Sequence, residues 1–175
     1  MNDTFDLRVG ETHIEVHKFR SGAIVGATAL ALLLQALLPV YFPHAEMLDL
    51  PLLVTLYFGL SRRNPSTGLL LGMAIGLLQD SLSKSPLGLY GISKTLVGYF
   101  ASSIGGRLDT EHPASRFALT LVFFALQQSI IVIVQRLLLA QPAAWFTAKL
   151  GIAALVNSAV AVLLFFLLDR LRRRS

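Results

Sequence analysis

Long apolar runs separated by short polar segments make up most of the chain. The stretch Gly22 to Pro43 has no charged residue, and neither does Phe117 to Gln135 or Leu150 to Leu168. Each run is close to the ~20 residues that a helix needs to cross ~30 Å of hydrocarbon at ~1.5 Å per residue. The pattern therefore predicts an all-α, polytopic integral membrane protein.

Prolines, glycines and charged residues divide this pattern into about six transmembrane helices. We predict a polar lead-in over 1–20, a membrane domain over 21–169 and a basic tail over 170–175. The second span is short and carries Pro51 in its first turn, where proline is tolerated. The lead-in fits two short strands or an interfacial segment equally well. The predicted spans are about 22–41, 47–61, 66–82, 89–107, 117–139 and 145–168.

The composition agrees with a membrane environment and narrows the possible partners. Hydrophobic residues make up 54% of the chain and charged residues only 14%, against roughly 25% charged residues in a soluble domain. The net charge of +5 raises the question of nucleic acid. However, the basic residues are dispersed at the ends of apolar runs, without an aromatic-lined groove or a long basic helix. We therefore expect contacts with anionic lipids rather than nucleic acid.

The positions of the basic residues predict the orientation in the membrane. If both termini are cytoplasmic, eleven of the 15 Lys and Arg residues lie inside, three lie outside and Lys94 lies within a span. This bias follows the positive-inside rule, so we predict that both termini are cytoplasmic. The outside residues are Lys84, Arg136 and Lys149, and the inside ones are Arg8, Lys18, Arg20, Arg62, Arg63, Arg107, Arg116, Arg170, Arg172, Arg173 and Arg174.

The sequence shows no pattern typical of an enzyme or a metal site. There is no cysteine, so disulfides, thiolate ligands and cysteine nucleophiles are excluded. The four histidines lie near or outside the ends of spans and lack the HExxH spacing of a metal site. No GxSxG motif is present, and no serine within a span has a histidine at a matching depth. We therefore expect no catalytic residue and no cofactor.

Two stripes of small residues are the clearest pattern within the spans. Residues four apart share one helix face, and small side chains there let another helix backbone approach closely. We predict a packing seam, more simply within the bundle than with the helix of a partner. The stripes are Gly68, Gly72 and Gly76 in the third span and Gly98, Ser102 and Gly106 in the fourth.

Two charged side chains near the outer ends of the same spans are candidates for an ion pair. Asp80 follows Gly76 by four residues and shares its face, and Lys94 lies about five residues into the fourth span. A short turn that contains Pro86 and Gly88 joins the two spans, which would bring the charges together. Alternatively, Lys94 extends towards the interface and Asp80 caps the turn.

Uncharged polar residues within the spans leave two interpretations open. They could line a substrate path, but interhelical hydrogen bonds are the more common role of such residues in membranes. The residues concerned are Gln79, Gln127, Gln128, Gln135 and Asn157.

The stretch from Asp49 to Leu108 resembles the rod shape-determining protein MreD family. The likeness covers about a third of the chain and rests on a Gly-Leu-x-x-Asp pattern followed by a Pro-Leu-Gly turn. The residues that carry it are Asp49-Leu50-Pro51, Arg62-Arg63, Gly72-Met73-Ala74-Ile75-Gly76-Leu77-Leu78-Gln79-Asp80, Ser81-Leu82-Ser83 and Pro86-Leu87-Gly88.

The resemblance implies a non-enzymatic subunit of the machinery that elongates rod-shaped bacteria, in the inner membrane. Such a subunit is expected to bind the single-span protein MreC. Through MreC it would act on the glycosyltransferase RodA, the class B penicillin-binding transpeptidase and the cytoskeletal protein MreB, and so support peptidoglycan synthesis.

An alternative function comes from another class of small six-span proteins with a similar architecture. These are the substrate-binding S components of energy-coupling-factor vitamin transporters, and the stripe Ala23, Ala27 and Ala31 resembles the one with which they dock their coupling subunit. The outer loops offer few of the aromatic and polar groups that a vitamin pocket needs. A structural membrane protein of another family is a third possibility.

Overall fold

The computed structural model of the chain describes residues 21–83, 85–108, 110, 112–145 and 147–170. The predicted lead-in over 1–20 and the end of the predicted basic tail lie outside these residues. The regular structure of the described part is helical. Its elements are α1 (Ser21–Tyr41), a 3-10 helix (Pro43–Met47), α2 (Leu50–Arg62), α3 (Pro65–Leu82), α4 (Leu89–Ile104), α5 (Pro113–Leu137) and α6 (Ala148–Asp169).

Side-chain caps decide where several of these helices begin. Asp49, Asn64, His112 and Thr147 each accept a hydrogen bond from a backbone N–H in the first turn of α2, α3, α5 and α6. Proline follows three of these caps near the first helical position, where its missing N–H is not needed. These caps place the starts of α2, α5 and α6 at 50, 113 and 148, rather than the predicted 47, 117 and 145.

Three of the described helices, α1, α5 and α6, are long and apolar enough to cross a membrane. Their outward surfaces carry large exposed apolar side chains such as Val25, Leu33, Leu163 and Phe166. An apolar surface of this extent is unfavourable in water and suits contact with lipid. The described chain is therefore a membrane protein with an all-helical fold.

Helix α2 is the central element of the bundle. Every residue from Pro51 to Leu60 is buried, and α2 contacts each of the other five α-helices. A helix that is apolar on all sides is stable only when other elements surround it. Its 13 residues rise about 20 Å, which is less than the ~30 Å of a bilayer core. One end of α2 therefore lies inside the bundle.

The helices alternate in direction, so the bundle has two ends. The upper end is defined by Tyr41 at the end of α1 and Ala148 at the start of α6. The lower end is defined by Arg62 at the end of α2 and Asp169 at the end of α6. The pair α3 and α4 packs antiparallel and most closely of all.

Candidate functional site

A buried group of polar side chains surrounds the start of α2, and we call it the polar cluster; it consists of Gln35, Asp49, Lys94, Gln127 and Asn157. Asp49 is its centre. One carboxylate oxygen of Asp49 accepts a hydrogen bond from the Leu52 N–H at 3.0 Å. The other accepts from Lys94 Nζ at 2.9 Å and from Gln127 Nε2 at 2.6 Å. The side chain of Asp49 thus caps α2 and joins it to α4 and α5.

The ammonium group of Lys94 is held from several sides. The residue is 0% exposed, and its Nζ also donates to Gln127 Oε1 at 3.0 Å. The same Nζ lies 4.8 Å from the centre of the Tyr90 ring. A buried charge is strongly unfavourable unless it is paired and hydrogen-bonded. Here the carboxylate of Asp49 neutralises Lys94, and the Gln127 amide bonds to both.

The non-helical backbone before α2 is held by amide side chains from α1 and α6. Asn157 Oδ1 accepts from the Asp49 N–H at 2.8 Å, and Asn157 Nδ2 donates to the Met47 carbonyl at 2.6 Å. Gln35 Nε2 donates to the Leu48 carbonyl at 2.9 Å, and Gln35 Oε1 accepts from the Leu50 N–H at 3.0 Å. Irregular backbone is tolerated at membrane depth only when protein groups satisfy it in this way.

The polar cluster lies well below the upper end of the bundle. Gln35 is six residues before the end of α1, and Asn157 is nine residues after the start of α6. At ~1.5 Å per residue, these positions are about 9 and 14 Å below the helix ends. The cluster is therefore an internal feature of the bundle, and its polar atoms hold the surrounding helices together.

The predicted ion pair between Asp80 and Lys94 is not formed, and this prediction was wrong. Both oxygens of Asp80 are used by backbone N–H groups: Gly88 and Gly91 bond to Oδ2, each at 2.9 Å, and Tyr90 bonds to Oδ1 at 3.0 Å. Asp80 therefore caps the start of α4. Capping of the turn was the alternative that the sequence left open.

The backbone conformation of the turn before α4 explains why Pro86 and Gly88 occur there. Gly88 has φ +95°, a left-handed conformation that a side chain would make unfavourable. The Pro86 carbonyl accepts from the Leu89 N–H at 3.2 Å and closes the turn. Pro86 and Gly88 thus direct the chain so that its N–H groups reach Asp80.

The glycines of α3 lie directly against the backbone of α4. A Cβ atom added to Gly68 would overlap Ser102 and the Gly98 carbonyl, one added to Gly72 would overlap the Lys94 carbonyl, and one added to Gly76 would overlap the Tyr90 carbonyl. The α3 face is thus occupied within the chain. Its contact with Lys94 also fixes the height of that residue relative to Asp49.

Gly106 lies apart from the other small residues that the sequence singled out. α4 ends at Ile104 rather than at the predicted 107, so Gly106 is beyond the helix. Of the residues that the structure describes, only Arg63 would lie within 4 Å of a Cβ there, at 3.8 Å. The close contact at this end belongs to Gly105, where a Cβ would overlap the Leu60 carbonyl.

A second polar group joins three elements at the lower end. Asp169 accepts from the Tyr57 hydroxyl at 2.9 Å and from Arg116 Nη2 at 2.6 Å. Arg116 Nε also donates to the Thr110 carbonyl at 2.8 Å. These contacts attach the last turn of α6 to α2 and α5.

Asp49 and Gln35 are the site residues that the sequence interpretation missed. In the sequence, Asp49 stands out only as part of the Asp49-Leu50-Pro51 motif, and Gln35 lies within a long apolar run. One signal was available for Asp49: an acid directly before a Leu-Pro pair is typical of a helix cap. Within the described residues, no three His, Asp or Glu side chains are grouped as a metal site would require.

Comparison with known proteins identifies the family of the chain. The sequence model of the family described as rod shape-determining protein MreD matches residues 20–174. No significant match to a curated protein or to a solved structure was found. The predicted likeness to the S components of energy-coupling-factor transporters therefore stays a prediction. Because the family match extends over nearly the whole chain, the chain belongs to the rod shape-determining protein MreD family.

Proposed function

We propose that the chain is a non-enzymatic subunit of the bacterial elongation complex that binds MreC. Membership in the family supports a role in determining rod shape in the membrane. The paired polar groups of the polar cluster support a structural role, because each holds a neighbouring helix. Through MreC, the chain would act indirectly on RodA, the class B penicillin-binding transpeptidase and MreB.

One face of α1 is the surface that most directly supports binding to MreC. Gly22 and Gly26 are exposed and four residues apart, and a Cβ at either would have no atom of the described residues within 4 Å. The face continues through Leu30, Leu33 and Leu37, which are more than half exposed. Small residues at this spacing let two membrane helices approach closely. The α1 face therefore suits the single transmembrane helix of MreC.

The orientation in the membrane is part of the proposal. We propose six spans in the inner membrane with the lower end in the cytoplasm. Arg62, Arg63 and Arg107 lie at that end, where they would meet anionic lipid head groups. The short α2 would count as a span together with the 3-10 helix that precedes it.

Co-purification of MreC from native membranes tests the partner. The wild-type chain should bring down MreC, and Gly26→Leu should reduce the recovered MreC by about tenfold, since a loss of ~1.4 kcal/mol is tenfold in binding. Gly151→Leu is the matched control, because Gly151 is also exposed on a helix and a Cβ there has no neighbour within 4 Å among the described residues.

Two results would contradict the proposal. If the wild-type chain recovers no MreC, the partner is wrong. If both glycine variants reduce recovery equally while remaining folded, the partner is supported but the α1 face is not the binding surface.

A further inference from the structure

A cleft opens at the upper end of the bundle and extends down to the polar cluster. Its volume is about 310 Å³, at the lower end of the range for small-molecule sites in proteins. Residues of α1, α3, α4, α5, α6 and the 3-10 helix line it. Its floor includes Asp49, whose side chain is 12% exposed. The cleft therefore connects the polar cluster with the aqueous phase above the bundle.

Gln128 contributes an unpaired amide to the wall of this cleft. It is half-buried, its amide is not enclosed by protein atoms, and no described residue forms a hydrogen bond with it. The neighbouring Gln127, in contrast, bonds to Asp49 and Lys94. Gln128 is nine residues before the end of α5, about 14 Å below that end at ~1.5 Å per residue. A polar group at this depth in a membrane is unfavourable without a partner, so its amide is available to a ligand.

The mouth of the cleft carries one charge of each sign. Glu46 and Lys149 both line it. Their charged groups are 3.5 Å apart, and the two side chains are 61% and 63% exposed. An exposed pair at this distance is weak, so both groups can exchange partners with a ligand. A carboxylate and an ammonium side by side are complementary to a zwitterion.

The deeper part of the cleft suits a ligand group that is polar but uncharged. Lys94 Nζ lies 2.9 Å from Asp49 Oδ2, so the two charges of the floor neutralise each other. A charged ligand group would find no counter-charge there and would lose its water. Phe124 and Tyr90 provide aromatic surface on the walls, against which a short aliphatic segment can pack. The amide of Gln128 can both donate and accept a hydrogen bond.

We propose that the cleft binds a free amino acid with an amide side chain, of which glutamine is the best example. The α-ammonium pairs with Glu46 and the α-carboxylate with Lys149. The side-chain methylenes pack on Phe124, and the amide bonds to Gln128. An aliphatic side chain would leave Gln128 unpaired, and a charged one would bury a charge. This binding is independent of the proposed contact with MreC, which lies on α1.

Isothermal titration calorimetry of the purified full chain in detergent micelles tests this site. Glutamine, leucine and glutamate are titrated separately. The wild type should bind glutamine about fivefold more tightly than either of the others, which is the effect of one net hydrogen bond. Gln128→Leu should lower the affinity for glutamine to that for leucine. The matched control is Gln135→Leu, since Gln135 is half-buried on α5 and does not line the cleft.

Two further variants keep the test decisive if Gln128→Leu does not fold. Glu46 and Lys149 are largely exposed, so Glu46→Gln and Lys149→Gln should fold normally, and each should weaken the binding of glutamine by about threefold. Absence of saturable binding by any of the three amino acids overturns the proposal, and so does equal affinity for all three. It is also overturned if a folded Gln128→Leu, or both of the charge variants, bind glutamine as the wild type does.

Discussion

At the scale of single residues, Asp49 explains how Lys94 can be charged and fully buried. The two side chains come from α2 and α4, 45 residues apart in sequence. Their attraction offsets the loss of water only because Gln127 and the first turn of α2 supply further hydrogen bonds. Removing either charge would leave the other without compensation.

Asp49→Asn should therefore lower the free energy of unfolding by about 3 kcal/mol, since it leaves the Lys94 ammonium buried without a counter-charge. The substitution keeps the size of the side chain and an oxygen that can cap α2. The measurement is reversible unfolding of the purified chain in detergent micelles, followed by circular dichroism.

The exposed pair at the upper end provides the control for this prediction. Lys149→Gln removes one charge of a pair whose side chains are mostly in contact with the surroundings, so the loss should stay below ~1 kcal/mol. Equal losses in the free energy of unfolding for Asp49→Asn and Lys149→Gln would contradict the larger contribution to stability that we assign to the buried pair. Combining Asp49→Asn with Lys94→Gln should recover part of the stability.

At the scale of helices, the close contact between α3 and α4 depends on glycines, because glycine has no side chain to separate the two backbones. Gly68, Gly72 and Gly76 let the two backbones approach so closely that a single methyl group would overlap carbonyl oxygens of α4. Helices in lipid lack the hydrophobic effect as a driving force, so close packing of this kind supplies much of their association.

Gly72→Ala should separate α3 from α4 and lower the free energy of unfolding by about 1–3 kcal/mol, because a methyl group must be accommodated in a filled space. Overlap with the Lys94 carbonyl should also disturb the polar cluster. The measurement is the melting temperature of the purified variant in detergent.

Gly151→Ala is the matched control for the helix contact. It adds the same methyl group within α6, at a position where no atom in the described part of the chain lies within 4 Å of the new atom. Its melting temperature should be unchanged or slightly raised, since alanine favours a helix more than glycine does. A drop as large as that of Gly72→Ala would show that loss of glycine, rather than overlap, causes the effect.

The sequence predicted helices better than it predicted the contacts between distant helices. Apolar runs and prolines place the long α1, α5 and α6 within a few residues, because their pattern is local. The partner of Lys94 was predicted incorrectly, because the sequence favours the nearby Asp80 over Asp49. Which acid reaches the lysine depends on how α2 packs inside the bundle, and no local pattern records this. The cap made by Asp80 follows from the turn at Gly88.

At the scale of the whole molecule, the two ends of the bundle differ in charge. Arg62, Arg63, Arg107 and Arg116 lie at the lower end of the described bundle, whereas Arg136 and Lys149 lie at the upper end. Under the positive-inside rule, the lower end should face the cytoplasm.

Cysteine labelling tests this orientation directly, because the natural chain contains no cysteine. Leu87 is 79% exposed in the turn at the upper end, so Leu87→Cys should react with a membrane-impermeant maleimide in cells with a permeabilised outer membrane. Arg107→Cys, exposed at the lower end, should react only after the inner membrane is disrupted.

The chain without cysteine is the background control for this labelling. Reaction of Arg107→Cys in intact spheroplasts, together with protection of Leu87→Cys, would reverse the proposed orientation. Reaction of both in intact spheroplasts would contradict the proposal that α4 crosses the membrane between Leu87 and Arg107.

The place of Asp49 in the chain determines the order in which the contacts of the polar cluster can form during synthesis. Asp49 leaves the ribosome before any of its partners, since Lys94, Gln127 and Asn157 follow 45, 78 and 108 residues later. A nascent chain that ends after α4 has the lysine but not Asn157, so the Asp49 N–H and the Met47 carbonyl still lack the amide that binds them in the finished protein. Helix α2 is therefore among the first helices to be synthesised, but its contacts in the polar cluster are complete only when α6 has been made.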